Sequence, residues 1–401
     1  MPIIQEIEPM IPSERAIDKS DLPDLVQELE RKAATLEGLV SETTKAVITE
    51  HMRLINSYYS NLIEGNKTHP REVRKAMAGN YSQDPIKRDR QKESLAHIDT
   101  QAWLDLNPPD EERLVSPALL KAIHFQFYMD LPASLKTVSD SEGRKKVVVE
   151  PGLFREKGQE VTVGRHEPPE AERLEAFMEL FSEAYTFDRN RGQKRIIAAM
   201  ASHHRLMWIH PFVDGNGRVC RLFTDTYLKQ AGVGAYGLWC LSRGLAKNNA
   251  DYKGALAKAD NPRQGDSDGR GGRSEKALVE FCQFMLKTAI DQVDYTSRML
   301  GLRDMERRIH AYVEDRNKGL IPGVNKIRPE AVRLLEKSFA YGEFQRNEMT
   351  EISGLGYEVT KKLLQQMKKE GLLTESSSRS PLKWAIPEHA ERYYFPELAP
   401  D

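Results

Sequence analysis

Apolar residues return at three- and four-residue steps along most of this chain, and that period commits it to a mainly α-helical fold. The clearest stripe is Ile48, Met52, Ile55, Tyr59 and Leu62, the second half of a helical pattern running from Leu22 to about Ile63. Gly65 follows as a stop, and Thr68 with Pro70 predicts the cap and first turn of the next helix. Further helices are expected over 95–106, 117–128, 170–185, 195–209, 252–259 and 275–295, and a helix starting near Asn216 carries Val219, Leu222, Phe223 and Tyr227 on its buried side. One stretch breaks the pattern. In "KKVVVEPGLFREKGQEVTVGRHEPP" two Val-rich runs separated by Gly and charged residues predict a small β-hairpin flap. After about Pro322, three short helical patterns and a strand-and-turn tail have the order of a winged helix.

Composition narrows the function classes. The 401 residues are 39% hydrophobic and 30% charged, enough apolar surface for a real core and enough chain for two or three compact units. Lys and Arg total 59 against 60 Asp and Glu, so the whole chain carries no bias toward nucleic acid or an acidic membrane, and any basic site has to be local. Cys220, Cys240 and Cys282 are an odd, scattered set, which argues against a disulfide framework and for a reducing cytoplasm. The N-terminus has neither a basic n-region nor an h-region, and no stretch is long enough to span a bilayer, so neither signal peptide nor membrane anchor is expected.

The densest chemistry is "HPFVDGNGRVCR", His210 to Arg221. Pro211 and the glycines at 215 and 217 require one helix to stop and another to begin, so this is a loop entering a helix N-terminus. Unpaired N–H groups and the helix dipole make such a terminus an anion site. Arg218 and Arg221, at i and i+3, share one face and can reach that anion. Asp214 is the carboxylate that a Mg²⁺ bridging two phosphates requires, and His210 is the one side chain there able to take a proton at neutral pH. The parts together describe transfer of a phosphate-containing group to a hydroxyl. Each alone has a plainer reading: an Arg221–Asp225 pair one turn apart, a loop histidine, a turn aspartate.

The order resembles the Fic family signature, HPFx(D/E)GNGRxxR, at every specified position. The flanking "HHRLMWIHPF", "GLFREKGQEVTVG" and "NADYKGAL" look like the family's preceding helix, flap and nucleotide-pocket helix, so the likeness covers about 41–295. The resemblance implies a Fic-type helical bundle that moves AMP from ATP to a Ser, Thr or Tyr hydroxyl of a target protein. It makes His210 the base and Phe212 a core anchor. Asp214 becomes the Mg²⁺ ligand, Gly215, Asn216 and Gly217 the anion hole, Arg218 a support for the phosphates and Arg221 the grip on the γ phosphate. The Doc-like branch, which phosphorylates with ATP reversed, has Lys where this chain has Gly217, so AMP transfer is expected.

"SNLIEGN" matches the family's inhibitory motif (S/T)xxxE(G/N), with Ser60 and Glu64 on one helical face. The likeness implies that Glu64 pairs with Arg221 and takes the charge meant for the γ phosphate; a plain surface or capping acid is the alternative. Some relatives also use this glutamate to remove AMP from a modified target. By the same analogy Arg155 and the flap residues Val161, Thr162, Val163 and Gly164 position the target by strand addition, and Tyr252 lines the adenine pocket unless it is an ordinary buried aromatic. His203 and His204 point in different helical directions, so no shared zinc is expected.

The expected layout is an N-terminal helical region over 1–110 including the inhibitory helix at about 41–65, a catalytic core over 111–300, a linker helix over 301–324 and the winged-helix domain over 325–401. Expected ligands are ATP and Mg²⁺. Expected partners are a target protein, the chain itself included, with a homodimer left open. Lys361, Lys362, Lys368 and Lys369 would suit DNA phosphates, but Glu358 and Glu370 interleave with them, and protein interaction is favoured over DNA. Removal of AMP, transfer of another nucleotide, and a DNA-binding regulator whose core senses nucleotide are the competing functions.

Overall fold

A computed structural model describes residues 3–139, 146–162 and 166–398. The fold is mainly α-helical with two small sheets. It divides into two compact units: Met1–Arg31, Asn56–Val233 and Cys240–Gln292 form the first, and Lys32–Ile55, Gly234–Trp239 and Val293–Asp401 the second.

The helices that position the site are α1 (Glu42–Ile63), α2 (Pro85–Leu106), α3 (Pro117–Tyr128), α4 (Lys194–Ile209), α5 (Asn216–Gln230) and α6 (Asn249–Ala259). The pattern from Leu22 to Ile63 is two helices, because Leu22–Glu37 ends before a short break and α1 follows. Along α1, Ile48, Met52, Ile55 and Tyr59 are buried as the stripe requires. The chain leaves α1 through Gly65 at φ +90, with the Gly65 N–H donating to Leu62 and the Asn66 N–H to Asn61, a backbone turn that favours glycine. The next cap differs from expectation. His69 accepts from the Arg71 N–H ahead of Pro70, while Thr68 is held by the Asn66 side chain and so sits outside the cap.

α4 and α5 pack together along the first unit's core, where Phe181 sits 5.7 Å from Phe223 and Phe177 5.5 Å from Trp208. This core fixes the two helix ends between which the signature loop runs.

The flap pairs differently from the sequence reading. β1 (Thr137–Ser139) and β2 (Lys146–Val148) form the hairpin, in the register Thr137 to Val148 and Ser139 to Lys146. The first Val run therefore pairs backwards with a preceding strand and not forwards with Val161. Val161 and Thr162 lie in no strand, and Val163 and Gly164 fall outside the described residues.

In the second unit, α7 (Leu302–Asn317) is followed by α8 (Ala331–Tyr341), β3 (Glu343–Phe344), α9 (Met349–Ser353), α10 (Tyr357–Lys369), β4 (Leu373–Thr374) and β5 (Leu382–Trp384). The three strands form one antiparallel sheet in the order β3, β5, β4. Trp384 is fully buried beside Phe339 of α8 and Tyr394. Among the described residues, no helix is long and apolar enough to cross a membrane.

Candidate active site

α4 ends because His210 takes the left-handed conformation at φ 50, ψ 61, while its N–H still donates to Leu206. Pro211 follows, and Asn216 closes the loop: its Oδ1 accepts from the Phe212 N–H at 2.9 Å and its Nδ2 donates to the Phe212 carbonyl at 2.8 Å. The Asn216 side chain thus shapes the loop, leaving the backbone to face an anion. Gly215, at φ +81, is the cap position of α5 and has no side chain to satisfy the first N–H groups. A Cβ on Gly215 would stand 2.6 Å from the Tyr128 ring, so glycine is required there on two counts.

His210 Nδ1 lies 3.2 Å from the Met207 carbonyl. A carbonyl can only accept, so Nδ1 carries the hydrogen and Nε2 keeps its lone pair. Burial lowers the His210 pKa to about 4, so the ring is neutral at pH 7. Arg155 holds the loop from beneath: it is buried, its Nε donates to the His210 carbonyl at 2.9 Å, and its Nη2 donates to the carbonyls of Pro169 and Ile209. Its guanidinium is spent on this loop, away from the flap surface assigned to it by analogy.

Phe212 is buried and stacks on His124 with ring centroids 4.0 Å apart. His124 Nδ1 accepts from the Gly152 N–H, so its Nε2 donates to the Asp214 carbonyl at 3.2 Å. The Tyr128 hydroxyl donates to Asp214 Oδ2 at 2.6 Å, and Arg218 Nη2 reaches the same oxygen at 3.1 Å. Burial pushes the Asp214 carboxyl up, but the Arg218 charge and the Tyr128 hydrogen bond outweigh it and the pKa is lowered. Asp214 is thus an ionised carboxylate at a helix N-terminus. Among the described residues, no group of three His, Cys, Asp or Glu converges as a metal cage would. One carboxylate is nevertheless what Mg²⁺ takes from a protein when phosphates and waters supply the remaining oxygens, so the residues fit that ion.

Arg218 and Arg221 lie on one face of α5, and each meets a carboxylate from another helix or its end. Arg221 is buried: its Nη2 donates to Glu64 Oε1 at 2.7 Å and to the Ser60 carbonyl at 3.0 Å, and its Nε donates to Ser60 Oγ at 2.9 Å. Burial raises the Glu64 pKa, yet the Arg221 and Arg218 charges prevail and lower it, so Glu64 is ionised. Its Oε1 lies 2.2 Å from where a Gly217 Cβ would be, so the contact depends on glycine there. Asp225 takes no part in it and accepts from Asn56 at 3.1 Å instead. Arg218 meets Glu93 of α2 through Nη1 and the Tyr128 hydroxyl through Nη2 at 3.2 Å.

His203 bridges Thr224 Oγ1 and the Tyr252 hydroxyl at 2.8 and 2.7 Å, while His204 faces the Leu256 carbonyl and Asp260. The two rings have separate partners. Tyr252 is buried with its hydroxyl on His203.

His124, Tyr128, Glu93 and Arg155's support of the loop were not anticipated. Tyr128 and His124 sit in the apolar run "HFQFY", where they read as core, and Glu93 lies 125 residues from its partner.

Residues 114–228 match the Fic/DOC family model. The chain carries a Fic/DOC family domain. It is 31% identical over 140 residues to a protein adenylyltransferase Fic of Drosophila grimshawi, covering 34% of this chain and 29% of that protein. The corresponding protein of Drosophila virilis is 32% identical over 140 residues, covering 34% of this chain and 28% of its own. The match thus spans less than a third of these relatives' length. Among solved structures, a Fic family protein from Desulfovibrio desulfuricans aligns over 92% of this chain and 96% of its own, with a TM-score of 0.53 and 18% identity. Fic-1 of C. elegans aligns over 69% of this chain and 71% of its own, with a TM-score of 0.51 and 15% identity. At these identities the structural likeness establishes the fold.

Proposed function

We propose that this protein is an adenylyltransferase that moves AMP from ATP to a hydroxyl of a protein and is held inactive by Glu64. The observation that carries this reading is His210: a neutral imidazole whose Nδ1 is tied to Met207, beside a helix N-terminus left open by Gly215. In the proposed reaction the target hydroxyl oxygen attacks the α phosphorus. The new O–P bond forms as the bond from that phosphorus to the bridging oxygen breaks, pyrophosphate leaves, and His210 Nε2 takes the hydroxyl proton. The N–H groups at the start of α5, from Asn216, Gly217 and Arg218, face the phosphates, and Arg221 takes the γ phosphate once Glu64 withdraws. Asp214 would hold Mg²⁺, which would neutralise phosphate charge. Tyr252 supports this pocket through His203, while Val161 and Thr162, with Val163 and Gly164, remain the segment offered to the target.

Glu64 supports a second reading. It is ionised and about a third exposed at the edge of the site, so it could orient water to remove AMP from a modified target. In the second unit we read the order from α8 to β5 as a winged helix that positions the protein target. Lys368 is spent on Glu375 at 2.7 Å and Lys361 lies over the Tyr357 ring, which weighs against a free row of lysines for DNA. The three cysteines are free and buried, in keeping with a reducing compartment.

The test is mass spectrometry of wild type, Glu64→Gly and His210→Ala incubated with ATP and Mg²⁺, alone and in lysate. Added AMP mainly with Glu64→Gly and never with His210→Ala is expected. Equal AMP from His210→Ala would defeat the assignment, and metal-dependent loss of AMP from a modified target that requires Glu64 would favour removal.

A further inference from the structure

Both terminal nitrogens of the Arg218 guanidinium are already engaged. Its Nη1 is on Glu93, its Nη2 is shared by Tyr128 and Asp214, and its Nε is buried without a partner among the described residues. Both side chains of the Arg218–Glu93 pair are largely out of water, at 7% and 13% exposure, so the pairing is held in a low-dielectric setting. Arg221 is likewise paired, with Glu64, although there only the arginine is out of water, at 2% exposure against 35% for Glu64. Three carboxylates, Glu64, Glu93 and Asp214, therefore face two guanidiniums, and the cluster is net negative where a polyphosphate would have to enter.

The second oxygen of Glu93 is held as well. Asn66 Nδ2 donates to Glu93 Oε2 at 2.7 Å and to the Arg90 carbonyl at 3.1 Å, and the Asn66 N–H closes the end of α1 on Asn61. Asn66 is buried and only two residues beyond Glu64. The turn that carries Glu64 to Arg221 is thus the turn that holds Glu93 on Arg218.

We infer that Glu93 is a second internal counter-anion, neutralising Arg218 as Glu64 neutralises Arg221, and that Asn66 couples the two so that they release together. This rests on the nucleotide reading above and adds to it a second control point on another helix. Withdrawing Glu64 frees Arg221 outright and, through the turn at Asn66, loosens Glu93 on Arg218 only in part. Displacing the 64–66 turn loosens both, and each release removes a negative charge that repels the phosphates.

The test is isothermal titration of ATP into the full chain with Mg²⁺, for wild type, Glu64→Gly, Glu93→Gln and the double variant, each checked for folding by thermal unfolding. Glu93→Gln is expected to tighten ATP binding by about tenfold, as removal of one opposing charge at close range should. The factor should be smaller in the Glu64→Gly background, because the turn is already loosened there. A purely structural role for Glu93 predicts the opposite sign, since an Arg218 left without its anchor would lose affinity. If Glu64→Gly tightens ATP while Glu93→Gln leaves it unchanged or weaker, the second counter-anion is refuted and the Glu64 brake stands. Equal factors in the two backgrounds refute the coupling through Asn66. ATP binding by none of the four refutes the nucleotide reading and this inference with it. Should Glu93→Gln not fold, Asn66→Ala, which frees the second Glu93 oxygen along with the Arg90 carbonyl and Thr68, serves in its place: tighter ATP supports the inference and unchanged affinity overturns it.

Discussion

Replacing Glu64 by alanine removes the carboxylate from Arg221 without adding the backbone freedom of a glycine. Arg221 is 2% exposed, and stripping one partner from a fully buried pair costs about 3–5 kcal/mol because the other charge is left uncompensated. Two features reduce that figure. Glu64 is 35% exposed, so solvent already screens it, and Arg221 keeps its bonds to Ser60 Oγ and the Ser60 carbonyl. A loss of about 1–2 kcal/mol follows, which for a unit of this size lowers Tm by about 2–8 °C. ATP should return it. With Arg221 free to meet the γ phosphate, the variant binds more tightly, so at one ATP concentration the upward shift in Tm exceeds that of wild type. Thermal unfolding by fluorescence, with and without ATP and Mg²⁺, reads both quantities. A variant as stable as wild type with the same ATP shift would mean that Glu64 neither compensates Arg221 nor competes with phosphate.

Acid should destabilise the fold before the ordinary carboxylates titrate. Burial lowers His97 and His203 to about 3 and His124 and His210 to about 4, from an ordinary value of 6.5, so between pH 6.5 and 4 the unfolded chain binds protons that the folded chain refuses. Stability is then complete above pH 6.5 and falls by on the order of 1 kcal/mol per pH unit for each histidine below it. Asp225, raised to about 7 by burial, opposes them as one group against four. A Tm that held constant from pH 7 to pH 5 would contradict this. Tyr128→Phe removes the 2.6 Å bond to Asp214 and should weaken Mg²⁺-dependent ATP binding by about tenfold, a hydrogen bond to a charged group being worth about 1.5–3 kcal/mol; calorimetry with metal and with chelator should show the loss only with metal. Gly215→Ala combines a left-handed backbone with a collision against the buried Tyr128 ring and should cost about 2–5 kcal/mol in urea unfolding, whereas a shift within error would mean that the loop yields there.

What could be read in the sequence was whatever repeats or is local. The helix over 117–128 has its expected ends because Pro117 sits at its first turn behind a Ser116 cap and the apolar face runs unbroken to Tyr128. Ser60 and Glu64 are four residues apart, so their shared face followed from helical geometry, and the loop from His210 to Asn216 followed from Pro211 and the glycines. The flap was mispaired because a Val-rich run records that it is a strand but not which strand it meets, and β2 pairs with the segment before it. His69 capped where Thr68 was expected because the Asn66 side chain had already claimed Thr68. Glu93 was invisible for a different reason. Its helix is polar on several sides, and only the folded chain brings it to Arg218.

In the proposed reaction His210 drives transfer of the α phosphorus of ATP to a protein hydroxyl, with Glu64 as its restraint. The most direct test gives the Glu64→Gly protein ATP labelled at either the α or the γ phosphorus, with His210→Ala carried in the same background, and measures label retained on protein after denaturation. Retention from the α label only, lost with His210→Ala, is expected. Retention of the γ label, or of the α label without His210, would contradict the proposed reaction.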